Sequence, residues 1–254
     1  MMFLDDSQQT GNVVLAISQP THAWIAGELL RQWASTQDDM LILAAEQHDV
    51  AWMDWEMTPS FDAETGRPHL FRAIGAAQHA PLWALGVDRA LAAWGSRVAM
   101  LISRHGTVIY TRFIDRHRLS DADAEAAALY VEQQAPLQAA WAKALDLTPA
   151  EIARDSNLIA FVDTVSLALC GELALPLDVV GPGVTDGSVT YHLARSEGSD
   201  DVTMTPWPFR SPRVSIAAEA RLIPPGGFMT ESDMRDWVSS APRIRFEVAL
   251  SALA

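Results

Sequence analysis

The seven histidines stand at positions 22, 48, 69, 79, 105, 117 and 192, and His48 directly precedes Asp49 in "LAAEQHDVAW". An imidazole beside a carboxylate suits a helix end facing water. It equally suits two ligands of one metal ion. Two histidine pairs share a spacing, because His22 to His48 and His79 to His105 are each 26 residues apart. Asp163 lies in "NLIAFVDTVSLALC", a segment otherwise so apolar that it must be largely buried. A buried carboxylate is costly unless it is paired, hydrogen-bonded or bound to metal. Mixed imidazole and carboxylate donors favour Fe, Mn, Zn or similar ions.

Helices have to carry these residues. "THAWIAGELLRQWA" has apolar residues at helical spacing, with Pro20 where a first-turn proline belongs. "STQDD" is a turn with N-cap chemistry, and "MLILAAEQHDVAW" reads as a second helix. If these two form a hairpin, His22 near the start of one meets His48 near the end of the other. His48 and Asp49 can serve one site only where the helix breaks, since successive helical side chains diverge by about 100°. A third helical region spans His79 to His105, and a bend at Gly86 or Gly95 would bring its ends together. Left straight, it would hold them about 39 Å apart. Residues 54–70 read as a long loop, 120–145 as a helix capped by Ser120 or Asp121, and Thr148-Pro149 as the start of the last long helix.

After about residue 172 the pattern changes. "SVTYHLARS", "DVTMTPWPF", "RVSIAAEARLI" and "RIRFEVALS" alternate or are β-branched, with Gly and Pro between them. The expected architecture is therefore mainly α, with a helical core over 18–172 and an antiparallel β-rich extension over 173–254 packed on it. "NVVLAIS" (12–18) reads as one short strand, and "TESDMRDWVSS" as a short helix or loop.

The net charge of −14 argues against nucleic acid or an anionic membrane as a partner. No run of about 18 uncharged apolar residues suggests a membrane span, and the acidic start lacks the layout of a signal peptide. The single cysteine, Cys170, excludes an intramolecular disulfide and a thiolate zinc cage. A cytoplasmic protein acting on a small molecule is expected, and homo-oligomerisation is compatible with it. Against the acidic background, Arg104, Arg112, Arg116 and Arg118 gather in one short segment. No GxGxxG, P-loop or HExxH motif is present.

The order His…His-Asp…Asp resembles the HD-domain superfamily of metal-dependent phosphohydrolases, over roughly residues 18–172. "EQHDVAWMDWEMTPSFDAETGRPHLF" is similar to the HDxxWxxWE-type segment of an uncharacterised bacterial HD-like family, DUF3891. The resemblance implies a first metal held by His22, His48, Asp49 and Asp163. It implies a second metal bridged by Asp49 and held also by His79 and His105. It further implies a metal-activated water attacking a small phosphorylated or nucleotide-like substrate, with Asp49 orienting that water. Many HD hydrolases follow His-Asp with a Gly-Lys pair for substrate phosphate, whereas this chain has Val50-Ala51-Trp52. Arg104, Arg112 or Arg116 could replace that lysine. Trp52, Trp55 and Glu56 would form an aromatic, acidic rim, and His117 is a candidate proton donor. Two alternatives stay open: a di-iron oxygenase cleaving a C–C or C–P bond, and a non-catalytic ligand-binding module stapled by metal.

Overall fold

The computed structural model of the chain describes residues 1–6, 13–35, 38–114, 118–185, 187–196, 201–224 and 226–253. The chain opens with an antiparallel strand pair, β1 (Met2–Asp6) and β2 (Val13–Ile17). Helix α1 (Gln19–Arg31) starts where the Ser18 side chain accepts the Thr21 N–H and Pro20 sits in the first turn. Helix α2 (Asp39–Gln47) is capped by Asp38, which accepts the Leu41 N–H at 2.7 Å. Asp38 thus supplies the N-cap chemistry expected of the "STQDD" segment. The expected break also occurs, because α2 stops at Gln47 and a turn carries His48 and Asp49 into the short helix α3 (Trp52–Glu56). The loop read over 54–70 contains a small hairpin, β3 (Phe61–Asp62) and β4 (Arg67–Pro68).

Helices α4 (Ala76–Trp94) and α5 (Ser96–Val108) meet at Gly95, whose φ of +89° is a conformation that side-chain-bearing residues rarely adopt. Of the two glycines considered for the bend, Gly95 makes it; Gly86 is a buried helical residue. One π-helical turn, Ile109–Phe113, ends α5. Helix α6 (Asp121–Ala144) is capped by Ser120, and α7 (Pro149–Leu169) begins with a capping box between Thr148 and Glu151.

Strands β5 (Leu177–Pro182), β6 (Ser188–Arg195), β7 (Val202–Thr205) and β8 (Arg213–Ile223) follow, then α8 (Glu231–Ser240) and β9 (Arg243–Ala252). On β8 the buried residues Val214, Ile216, Ala218 and Ala220 recur with the period of two that marks a sheet with one covered face.

This architecture corrects the expectation of a mainly α fold with a C-terminal β segment. A single seven-stranded mixed sheet runs in the order β1-β2-β8-β9-β7-β6-β5, so it uses both ends of the chain. The N-terminal pair joins through β2 against β8, with Leu15 opposite Leu222. All pairings are antiparallel except β7 with β9. The fold is α plus β, with more residues in helices than in strands but one large sheet spanning the chain. Sequence periodicity found most of these strands, but it could not show that residues 2–17 belong to the same sheet as residues 177–252.

Helices and sheet share one core, which includes Leu29, Leu41, Leu101, Val162, Leu193 and Leu250. The ring of Phe161 on α7 packs 4.6 Å from Tyr191 on β6 and 5.5 Å from Trp33. A Cβ on Gly181 of β5 would come within 2.4 Å of that ring, so α7 approaches the sheet this closely only because residue 181 has no side chain.

Candidate metal site

Five polar side chains converge from four segments where α1, α5 and α7 meet the turn after α2. His22 is in the first turns of α1, His48 and Asp49 are in the turn, His105 is near the end of α5, and Asp163 is in the middle of α7. All five are buried. Donor atoms of His22, His48 and Asp49 lie within 4.8 Å of one another, and so do those of His48, His105 and Asp163. His48 belongs to both groups, which makes them one cluster.

Hydrogen bonds decide which nitrogens face inward. His48 Nδ1 lies 2.8 Å from the carbonyl of Ala45, which only accepts, so Nδ1 carries the proton. Its Nε2 is then the atom turned toward the cluster. That atom has no hydrogen-bond partner and stands 3.4 Å from Asp163 Oδ1 and 3.6 Å from Asp49 Oδ2. The Ser166 hydroxyl donates to the Asp163 carbonyl at 2.8 Å, and so accepts from His22 Nδ1 at 2.9 Å. His22 Nε2 is therefore the nitrogen left to face the cluster, 2.9 Å from Asp49 Oδ2. A nitrogen this close to a carboxylate oxygen requires a proton or a metal ion between the two. Backbone or hydroxyl groups that fix Nδ1–H and free Nε2 are the usual outer support of metal-bound histidine. Three imidazoles and two carboxylates thus fit a divalent transition ion by donor type, orientation and spacing.

The charges respond to one another. Burial disfavours the imidazolium of His48, but Asp49 and Asp163 outweigh it and push its pKa up to about 9. Burial also opposes ionisation of Asp49, and His48 and His22 overcome it, holding the carboxyl well below its ordinary range. Asp163 is lowered in the same manner, mainly through His48 and His105. His105 moves the other way, down to about 4, because burial and the neighbouring His48 disfavour its charge.

The cluster forms the floor of a cavity of about 720 Å³, with His22, Asp49, His105 and Asp163 in its lining. The size suits a small-molecule site. Residues 7–225 match a family model described as "Protein of unknown function (DUF3891)". The chain belongs to the DUF3891 family. No curated protein and no solved structure matches it. The family match crosses the junction between the helical residues and the later strands, so this DUF3891 chain is matched through both.

The remaining candidates divide. His79 is not in the cluster. It lines the cavity, with Nδ1 2.6 Å from the Tyr110 hydroxyl and its ring 5.4 Å from Trp83. Trp83 stands between the two members of the expected second pair, 6.2 Å from the His105 ring, and gives its indole N–H to Asp49 Oδ1 at 3.2 Å. The second metal expected from His79, His105 and a bridging Asp49 is therefore not assembled among the described residues. The fold-back brings both histidines to one cavity, but His105 joins the first cluster and the bulk of Trp83 separates it from His79.

The arginines divide as well. Arg104 points to Gln138, and Arg112 bonds Asn157 at 2.7 Å and lines a separate groove of about 1030 Å³ between α7 and β5. Neither lines the metal cavity, because the face of α5 that carries His105 leaves residue 104 turned away. Arg116 and His117 lie outside the described residues. The arginines in the lining are Arg72 and Arg118. Trp52 lines the cavity, whereas Trp55 packs behind it at 6.0 Å. Glu56 is no rim residue. It is buried, accepts the Gln19 N–H at 3.0 Å and pairs with the Met1 amine at 2.7 Å.

Sequence reasoning missed Ser166, Trp83, Tyr110 and Gln19. Two of these left a trace, since Ser166 is three residues after Asp163 and Gln19 three before His22, both on a shared helix face. Among the described residues no helix is long and apolar enough to cross a membrane.

Proposed function

We propose that this chain is a metal-dependent hydrolase of the HD-superfamily type, acting on a small phosphorylated substrate. The observation that carries the reading is the pair of outward-anchored imidazoles, His22 on Ser166 and His48 on Ala45, whose Nε2 atoms meet Asp49 and Asp163. Their order along the chain is that of the HD ligand set. A divalent ion held there would supply a water of lowered pKa and polarise a phosphoryl oxygen.

The protein's own groups account for the rest. Asp49 accepts from the Trp83 indole through Oδ1, which fixes Oδ2 toward the cluster, where it would hold the ion and orient its water. Tyr110 is buried and its phenol is pushed up by burial, so it remains a donor, and His79 Nδ1 is the acceptor within reach. A neutral His79 that accepts there carries its own proton on Nε2. That N–H can donate a hydrogen bond to a substrate oxygen in the cavity.

The oxidative alternative loses its basis where His79 bonds Tyr110 instead of joining His105. A purely structural ion would not need four of five ligands in the wall of a cavity. The test combines metal analysis of protein purified without chelator with phosphate release from a panel of phosphomonoesters. About one transition ion per chain, with hydrolysis abolished in Asp49→Ala, is expected. Metal-free protein that hydrolyses nothing would end the proposal.

A further inference from the structure

Two buried donors in the cavity wall have no partner in the protein. Gln19 is 1% exposed and its Nε2 makes no hydrogen bond; Trp52 is 3% exposed and its Nε1 makes none. Each stands one helical turn from a cluster residue, Gln19 before His22 and Trp52 after Asp49. Both line the cavity that the cluster floors. An unsatisfied buried donor is costly, about 1–3 kcal/mol, so a wall that keeps two of them beside a metal cluster is built for an acceptor group.

The remaining lining defines what carries that acceptor. Ile74, Ile109, Leu167 and Leu173 are apolar, and the Trp52 ring meets Phe71 edge-on at 6.0 Å. The guanidinium of Arg72 is already committed, since it pairs with Glu172 at 2.6 Å. Asp123 adds negative charge to the lining. Several phosphates could not be neutralised here, whereas one oxyanion could be held by the ion and two neutral donors.

Resting on the metal reading above, we infer that Gln19 Nε2 and Trp52 Nε1 bind one oxyanion of the substrate. The cavity then selects an amphipathic molecule, a single oxyanion on an apolar, ring-sized body, over a polyphosphate. This narrows the substrate class and removes nucleoside triphosphates from it.

Calorimetry on metal-loaded full-length protein tests the inference with phenylphosphonate, methylphosphonate, benzoate and adenosine triphosphate as probes. Phenylphosphonate is expected to bind at least tenfold more tightly than methylphosphonate and than the triphosphate. Benzoate separates a general oxyanion site, which binds it comparably, from a phosphoryl-selective one, which binds it at least tenfold more weakly. Both results support the inference and assign the group. Trp52→Phe keeps the ring and removes the N–H, and Gln19→Leu keeps the volume; each should weaken phenylphosphonate about tenfold with metal content unchanged. Tighter binding of the triphosphate, or unchanged affinity in both variants, overturns the inference and leaves the metal site standing. Absence of metal uptake, with phenylphosphonate still bound and sensitive to Trp52→Phe, removes the metal reading and supports the amphipathic site.

Discussion

Ser166 Oγ lies 2.9 Å from His22 Nδ1 across a separation of 144 positions, and it can only accept, because its own proton goes to the Asp163 carbonyl. One hydroxyl therefore sets which nitrogen of His22 is free to bind. Ser166→Ala should weaken metal binding about 10–100-fold while the protein stays folded. Competition with a chromogenic chelator reads the affinity, and circular dichroism checks the fold. Unchanged affinity would show that the hydroxyl does not orient the ring.

Asp163 and His105 should behave as ligands, and His79 should not. Asp163→Asn and His105→Ala are expected to lower metal content measured by emission spectrometry, with His79→Gln retaining about one ion per chain. Loss of half of a two-ion content in His79→Gln would restore a dinuclear centre.

Metal uptake should depend on pH through His48. Its pKa in the metal-free protein is raised to about 9 by Asp49 and Asp163 against the cost of burial, so an ion must displace a proton at any lower pH. Apparent affinity should fall about tenfold for each pH unit below 9. Calorimetry in buffers of different ionisation enthalpy should show uptake of about one proton by the buffer per ion bound near pH 7.5.

The same groups set the stability of metal-free protein. A raised histidine pKa contributes stability that is fully present below its unfolded value, about 6.5, and is lost as pH rises through about 9. The lowered pKa values of Asp49 and Asp163 contribute above about 4, and that contribution is lost as pH falls further. The lowered pKa of His105 costs stability as pH falls from about 6.5 toward about 4, so thermal melts with chelator should show highest stability near pH 6.5 as far as this cluster decides it. Melts of His48→Gln should lose the alkaline decline, and an identical decline in that variant would remove His48 as its cause.

Phe161 joins α7, which carries Asp163, to the sheet. Phe161→Ala should destabilise the protein by about 3–5 kcal/mol, read from denaturant unfolding, because it empties the contact with Trp33 and Tyr191. Gly181→Ala should destabilise it from the opposite side by driving a methyl group into the same ring.

The sequence by itself determined the local pieces. Ser120, Asp38 and the Thr148–Glu151 pair are short-range caps, written within four residues of the helix they start, and they stand where their types predict. The alternation in 188–195 and 213–223 reports which face is buried, and those strands were legible for that reason. His22, His48, Asp49 and Asp163 were legible as an ordered set through the resemblance of their order to the HD pattern, and burial in an apolar helix marked Asp163 as needing a partner. Only the tertiary structure decided the rest. Pairing β2 with β8 joins segments about 200 residues apart, and period-two patterning names a strand's covered face but never its neighbour. His105 rather than His79 enters the cluster because Trp83 occupies the space between them. Which nitrogen of His22 is free depends on a hydroxyl of α7, 144 positions along the chain. Contacts of this kind depend on how helices dock, and no local spacing of residues encodes that.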